Sequence, residues 1–419
     1  MEKYKCKSVG IIGSGIQGVC IGLQLIKKGV PVTIFDRSDP LSSEFQSASY
    51  GNAGHFSPYA VLQFNRTDIL YDVPKMLFSS YGPLSLKWNY VTKMIPWFLH
   101  YLKNCNKKSM LHTAKYMHQI LSLSNDAYEE IFKEIDTTNL IEKKGIIYVW
   151  TKQNLKSREL EIKVRNDLGI KQKLLTQKEV LELEPNLKPV FDAGVLYEGA
   201  MHARDPHGIL KEIFKLFLNK GGKFIQENIT SLKQINENQT IIKSESKEYT
   251  FEKTVIASGA FSKNLTDQLG ENIPLDTERG YHVHFKDMEH LISRPVIFLD
   301  KAIGMTPMNQ GLRAVGTVEL GGLKNPSSKK RIDYLIRCAK ELLPQLEKHE
   351  DEWLGFRPTL PDFLPIIGPS LKNKNIIYAF GHHHLCWTLG AITGKIISGI
   401  VAEEKTNLDL SPYSSKRFN

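Results

Sequence analysis

The run Val9-Gly10-Ile11-Ile12-Gly13-Ser14-Gly15-Ile16-Gln17-Gly18, followed by Val32-Thr33-Ile34-Phe35-Asp36, decides the fold of this chain. An apolar strand ends at Ile12 and three glycines follow at GxGxxG spacing. A helix then opens at about Gly15, with its backbone N–H groups and positive dipole end turned toward a diphosphate. Gly13 permits the tight turn, Gly15 lets phosphate approach the backbone, and Gly18 lets the helix pack closely on the sheet. Ser14, Ile16 and Gln17 complete the turn. Asp36 ends the second strand, where a carboxylate accepts hydrogen bonds from an adenosine ribose. Strand, turn, helix, strand and acid stand in register, and together they read as a dinucleotide grip.

Working outward, 419 residues exceed one core of ordinary size, so two domains are expected. A content of 41% hydrophobic and 24% charged residues is that of a globular protein in water. The first apolar run is already the dinucleotide strand, so no basic, apolar and cleavable leader is expected. No uninterrupted apolar stretch reaches about 18 residues, so no membrane span is expected and the cytoplasm is the expected place. Cys6, Cys20, Cys105, Cys338 and Cys386 are odd in number and never in a CxxC pair. That spacing argues against a disulfide framework, a zinc site or a thiol redox pair. The net charge of +10 is spread over scattered lysines, with no basic stripe in a nucleic-acid motif, so a solvated lysine-rich face is expected and no nucleic-acid partner.

The segment 47–54 is rich in small residues, including Ser49, Gly51, Asn52, Ala53 and Gly54, which let backbone come close to a flat ring. From Val73 to about Ile135 apolar residues recur at spacings of three and four, a helical pattern. Gly145–Trp150 reads as a strand and Lys156–Leu168 as a helix. Asp205-Pro206 marks a helix start, with Asp205 as N-cap and Pro206 at the first position, and Gly221-Gly222 stops that helix. Short strands follow at 223–225, 229–235, 240–244 and 248–251. The buried strand Thr254-Val255-Ile256 runs into Ala257-Ser258-Gly259-Ala260, where a second cofactor contact is expected at the carboxyl end of a parallel sheet. Residues 273–318 read as β-rich, 325–346 as a helix, 376–380 as a strand and 385–401 as an apolar helix. The expected architecture is α/β, a discontinuous dinucleotide-binding domain of residues 1–58, 200–265 and 350–410 interleaved with a substrate domain of 59–199 and 266–349. That second domain should combine an antiparallel sheet with helices.

Taken together, these blocks resemble the FAD-dependent amine oxidoreductases of the D-amino-acid oxidase and glycine oxidase superfamily, most closely its D-amino-acid dehydrogenase branch. The resemblance spans nearly the whole chain. It rests on GSGIQG with Asp36-Arg37, on Tyr50 to Pro58, on Ala257 to Ala260 and on Glu278-Arg279-Gly280-Tyr281-His282. It extends through Gly355-Phe356-Arg357-Pro358, Pro361-Asp362, Pro365 to Gly368 and Phe380-Gly381-His382. It implies non-covalent FAD in a Rossmann-like fold, with the loop 47–54 along the flavin and Ala257, Ser258 and Gly259 as a second contact. Gly381, His382, His383, His384, Leu385 and Thr388 would bring a helix N-terminus to the pyrimidine end of the ring, where its dipole favours anionic reduced flavin. His383 and Cys386 depart from the small residues usual at their positions. Three consecutive histidines point different ways and make no metal site.

Oxidising an amino acid at Cα needs a hydride acceptor, a neutral amine and a fixed cation to hold the carboxylate. Arg357 matches the carboxylate anchor of the family's Gly-x-Arg-Pro motif, and a guanidinium grips a carboxylate with two parallel hydrogen bonds. The alternative is a structural arginine paired with Asp362. Tyr281 matches a tyrosine placed over the substrate, or is simply a core aromatic. His55 and His282 are further pocket candidates. The implied reaction gives an imine and then a 2-oxo acid, from a D-amino acid or a cyclic imino acid of the proline type. A quinone or other carrier takes the electrons; the alternative is a glycine or sarcosine type oxidase that uses oxygen. Pro83 to Lys103 mixes lysine with Trp88, Tyr90, Trp97, Phe98 and Tyr101 as interfacial segments do, which fits either peripheral contact with a membrane, on its cytoplasmic face, or an ordinary amphipathic helix of the substrate domain. Oligomeric state leaves no mark in the sequence.

Overall fold

The computed structural model describes residues 6–67, 82–152, 155–236 and 238–419. The opening motif folds as its spacing dictates: strand Val9–Ile12, helix Ile16–Lys27 and strand Val32–Asp36. They lie in a six-stranded sheet ordered Lys223–Gln226, Val32–Asp36, Val9–Ile12, Lys253–Ile256, Ile376–Phe380, Ile366–Pro369. The first five strands pair in parallel and the last is antiparallel. Segments from the start, middle and end of the chain thus share one sheet.

The helices Ile16–Lys27, Pro206–Asn219 and Cys386–Val401 cover one face of this sheet, and their packing depends on glycine. A Cβ on Gly394 would stand 2.7 Å from the Cys20 carbonyl oxygen, so the last helix crosses the first in backbone contact. The other face carries a three-stranded antiparallel sheet, Ile229–Asn236, Gln239–Ser244 and Glu248–Phe251, whose Ile242 and Phe251 close over Gly10. Asp205 caps the Pro206 helix by accepting the Gly208 N–H at 2.8 Å.

A nine-stranded sheet forms the second layer, ordered Glu350–Thr359, Asp276–Lys286, Gly311–Leu320, Ile303–Met308, Val296–Phe298, Ile146–Trp150, Ala193–Tyr197, Lys173–Thr176, with Leu84–Leu86 beside Gly311–Leu320. Helix Lys329–Leu342 covers its outer face through Ile332, Leu335, Ala339 and Leu342. Pro326 and Pro344 bracket this helix, which is why it is shorter than the 325–346 expected. The strand Glu350–Thr359 is hydrogen-bonded here although its sequence position grouped it with the dinucleotide segments; its partner is Asp276–Lys286 in antiparallel register. It therefore runs between the two layers.

Within the stretch read as helical, residues 73–81 lie outside the described part. Leu84–Leu86 is a strand, because the edge of Val318–Leu320 offers parallel partners. Helices Val91–Asn104, Lys107–Leu121 and Ser124–Phe132 follow. The segment His383–Val401 is long and apolar enough by length and composition to cross a membrane, but 78% of its apolar window is buried inside the protein, as a core helix requires.

Candidate active site

The carboxyl ends of the parallel strands open into a groove of about 250 Å³. Gly13, Gly15, Ile16 and Gln17 line it from the first turn, Asp36 and Arg37 from the second strand, and Ser49 from the loop. Ala257, Ser258 and Gly259 line it from the third strand and His382 from the last. The glycines differ in what they do. Gly13 has φ +112°, open only to glycine, and Gly18 has no room for a Cβ, which would collide with the Gly13 carbonyl. Gly15 is different: a Cβ there would meet only the Ser49 hydroxyl, at 3.3 Å. Its missing side chain leaves the groove itself open, as a diphosphate at a helix N-terminus requires.

Asp36 secures the turn. One carboxylate oxygen accepts the Ser14 N–H at 2.7 Å and the Ser14 hydroxyl at 2.9 Å, and the other accepts the Ser38 N–H at 3.2 Å. The oxygen bonded only to Ser38 keeps a second lone pair for a ribose hydroxyl. The Ser49 hydroxyl accepts the Ile16 N–H at 3.0 Å, and the Gln17 amide donates to the Cys386 carbonyl at 2.7 Å, tying the first helix to the last. Arg37 stacks on Phe261 at 4.5 Å and closes one end of the groove. These residues fit the adenosine diphosphate half of a dinucleotide.

A second cavity of about 130 Å³ adjoins the groove and shares Ala48, Trp353, Gly355, Phe356 and Cys386 with it. Gly51, Asn52, Ala53, His55, His383, His384, Leu385 and Arg357 line it. Ser14, Gly18, Gly54, Gly381 and Thr388 line neither space and act by holding others. Gly54 and Gly381 have φ of +74° and +81°. The Thr388 hydroxyl accepts the Ser57 N–H at 3.1 Å and donates to the His55 carbonyl at 3.2 Å, so it pins the loop rather than reaching a ligand.

Arg357 borders this cavity with no carboxylate within 4 Å of its guanidinium among the described residues. Asp362, the alternative partner, pairs with Arg417 instead. Arg357 Nη1 donates to the Thr317 carbonyl at 2.9 Å, which fixes the side chain across the strand pair. Its register partner is Glu278. Burial pushes the Glu278 carboxyl up and the Arg357 guanidinium down, and their mutual attraction opposes both shifts. Glu278 also accepts from the Thr359 hydroxyl at 3.1 Å.

Burial favours the neutral form of His55 and His383, and their partners set their tautomers. His383 Nε2 accepts the Leu360 N–H at 3.0 Å, which leaves Nδ1 to donate to the Thr359 hydroxyl at 3.0 Å. His383 thus braces the strand end. His55 Nε2 meets the Thr306 hydroxyl at 2.7 Å, and that hydroxyl donates to the Ala53 carbonyl at 3.1 Å, so His55 is the donor. Burial holds His55 and His382 at about 3, and burial with the Arg357 cation holds His384 at about 4. His384 lines the cavity and is itself exposed. Burial raises the Cys386 thiol to about 11, so it is no nucleophile.

Two expected site residues are placed differently from the others. Tyr281 borders the cavity, but its hydroxyl donates to Glu319 at 2.6 Å and accepts the Ser328 N–H at 3.1 Å. Tyr281, Val283 and Phe285 share a face packed in the core beneath helix Lys329–Leu342, because side chains alternate along a strand. His282 lies on the opposite face and lines neither space. It is stacked between Trp353, at 5.0 Å, and His284, at 5.3 Å, and its Nδ1 donates to the Gly51 carbonyl at 3.0 Å.

Sequence reading missed Trp353, whose indole lies over Gly51 and Gly355, leaving no room for a Cβ on either. It also missed Tyr148, which lines the second cavity next to Tyr59, and Phe261 at the far end of the groove. Trp353 and Tyr148 come from strands that pair only in the folded sheet, Phe261 comes from the turn Gly259–Ser262, and no local motif marks them.

A family model described as FAD dependent oxidoreductase, DAO, matches residues 8–400. The chain is 31% identical to a protein of Bradyrhizobium diazoefficiens named D-amino-acid oxidase, over 98% of this chain and 99% of that one. It is 26% identical to a D-amino acid dehydrogenase of Vibrio atlanticus, over 97% of this chain and 99% of that one. Among solved structures it resembles glycine oxidase from Geobacillus kaustophilus, with a TM-score of 0.74 at 21% identity over 98% of both chains.

Proposed function

We propose, for a chain that belongs to the DAO family of FAD-dependent oxidoreductases, that it catalyses oxidative deamination of a D-amino acid or a cyclic imino acid of the proline type. It is an FAD-dependent enzyme of amino-acid oxidation, related to bacterial proteins. The observation that carries the finer reading is the second cavity: one guanidinium without a carboxylate within 4 Å, next to the dinucleotide groove, and no carboxylate in its lining among the described residues. The resident flavin, when bound, supplies the acceptor for a hydride leaving the substrate Cα.

The chain's own residues do the rest. Arg357 holds the substrate carboxylate with paired hydrogen bonds and so fixes which face of Cα is presented. Nothing anionic in the lining stabilises an ammonium, so the amine enters neutral; His55 and His384, already neutral, add no competing charge. Positioning and exclusion of water carry most of the rate. The imine leaves and hydrolyses to a 2-oxo acid and ammonia, or stays cyclic for a proline type substrate. A volume of about 130 Å³ favours a small side chain.

For the electron acceptor we take a quinone at an anionic membrane surface, on its cytoplasmic side. Support comes from the helix Val91–Asn104 and the turn before it. Met94, Trp97 and Tyr101 face inward, while Trp88 is 73% exposed and Ile95, Leu99 and Leu102 form an exposed apolar ridge at helical spacing. Lys93, Lys103, Lys107 and Lys108 are exposed around it, and no acidic residue stands between Gly82 and Asn125. An apolar ridge flanked by cations fits an anionic bilayer. The name of the Bradyrhizobium relative favours a second reading in which oxygen takes the electrons.

Anaerobic bleaching of the bound flavin by a panel of both amino-acid enantiomers and cyclic imino acids tests the substrate. Failure of every D-amino and imino acid overturns the reading. Peroxide formed under air without added acceptor decides for oxygen, and flotation with anionic liposomes that leaves all protein in solution removes the membrane.

A further inference from the structure

Behind the cavity wall lies a cation that the reading above does not use. Arg313, on strand Gly311–Leu320, is 6% exposed. Its Nε donates to His284 Nε2 at 2.8 Å, and its Nη1 donates to the Asn52 carbonyl at 2.6 Å and the Tyr50 carbonyl at 3.4 Å. An arginine can only donate, so His284 presents a lone pair and is neutral. Every partner of Arg313 is therefore uncharged. No carboxylate lies within 4 Å of the guanidinium among the described residues, unlike Arg279, which meets Glu319 at 3.2 Å. Asp205 acts on Arg313 only from a distance.

The same contacts shape the loop. The carbonyls of Tyr50, Gly51, Asn52 and Ala53 are all drawn back toward the sheet, by Arg313, His282, Arg313 and Thr306 in turn. A trans peptide sets each following N–H opposite its carbonyl. The loop is thus held by its acceptors, and its other side, with Gly51, Asn52 and Ala53, walls the cavity. One peptide layer separates an uncompensated buried cation from that wall.

We propose that Arg313 is a positioning residue that raises the reduction potential of the bound flavin. Reduction by a hydride adds one negative charge to the cofactor, and a buried cation across a single peptide layer favours the more negative form, in a medium that screens it weakly. Pinning Tyr50 and Asn52 keeps that distance fixed. The inference rests on FAD occupying the site and not on the substrate or acceptor assigned above.

The experiment uses flavin-loaded protein, with potential measured by equilibration with reference dyes and sulfite affinity read from the flavin spectrum. Neither readout needs a substrate, so failure here is separate from failure of the substrate reading. Arg313→Gln keeps a donor to the loop but removes the charge, and it should lower the potential and weaken sulfite binding about tenfold; a tenfold change in the two-electron equilibrium is about 30 mV. Arg313→Lys keeps the charge and should stay within about threefold of the parent. His284→Glu leaves Arg313 in place but supplies a counter-charge, and should act like Arg313→Gln; it also serves if Arg313→Gln does not fold. An unchanged potential in Arg313→Gln or His284→Glu, or equal shifts in Arg313→Lys and Arg313→Gln, overturns the proposal.

Discussion

The guanidinium of Arg357 occupies the space that a side chain on Gly280 would fill. The two residues sit on neighbouring antiparallel strands, and a Cβ at 280 would overlap Cζ and Nη2 of the arginine. The bare backbone of Gly280 is what lets Arg357 lie flat against the strand and face the cavity.

Gly280→Ala should therefore damage substrate binding without touching the dinucleotide groove, from which Gly280 is absent. Flavin content should match the parent, while KM for the best substrate rises at least about tenfold, roughly the 1.4 kcal/mol of one misplaced charge-assisted hydrogen bond. Titration with a carboxylate inhibitor, followed in the flavin spectrum, measures this directly. Parent-like affinity would mean that Arg357 does not hold the carboxylate.

Gly15 and Gly18 should separate cofactor binding from folding. A methyl on Gly18 collides with the Gly13 carbonyl and must push the helix off the sheet, so Gly18→Ala should destabilise the fold by about 1–3 kcal/mol, as overpacking does. A methyl on Gly15 meets only Ser49 within the protein. Gly15→Ala should keep the unfolding midpoint of the flavin-free protein and still bind FAD at least about tenfold more weakly. Urea unfolding of the apoprotein and FAD titration compare them.

Much of this was legible in the sequence because it is local. The glycine spacing before Ile16, the Asp205-Pro206 cap and the Arg357 motif each act within a few residues of themselves. Tyr281 was legible too, through the alternation of Gly280, His282 and His284 against Tyr281, Val283 and Phe285. A face shared with two core residues outranks a match of position. Trp353 and Tyr148 were not legible, because what places them is the pairing of strands far apart in the chain. The same holds for the Arg313 and His282 grips on the loop, since hydrogen bonds across more than 200 residues leave no periodicity.

Tyr281→Phe tests whether Tyr281 serves the fold or the substrate. Its hydroxyl serves Glu319 and Ser328 on the buried face, so loss should lower stability by about 1–2 kcal/mol and leave KM unchanged. Tyr148→Phe should do the reverse, with KM raised and stability little altered, because Tyr148 is half-buried and lines the cavity. Steady-state kinetics and thermal unfolding of the two variants decide. A raised KM in Tyr281→Phe with unchanged Tm would restore it to the substrate.

The histidines predict how the protein responds to acid. Burial holds His55, His202, His284 and His382 at about 3 and His384 at about 4, whereas an unfolded histidine titrates near 6.5. Between roughly pH 6.5 and 4 the unfolded chain then binds more protons than the folded one, so stability falls as pH falls. Each such group contributes at most about 1.4 kcal/mol per pH unit, and together they should make the decline steep. Above about pH 7 none of them titrates in either state, and their contribution is constant. Urea midpoints at pH 7.5, 6.5, 5.5 and 4.5 should drop progressively below 6.5. The pH profile of kcat/KM should likewise show no ionisation from His55 or His384 between 5 and 8, its rise with pH belonging to the substrate amine. A midpoint that holds level down to pH 4.5 would mean that these rings are charged in the folded protein, and that the cavity is more polar than its lining implies.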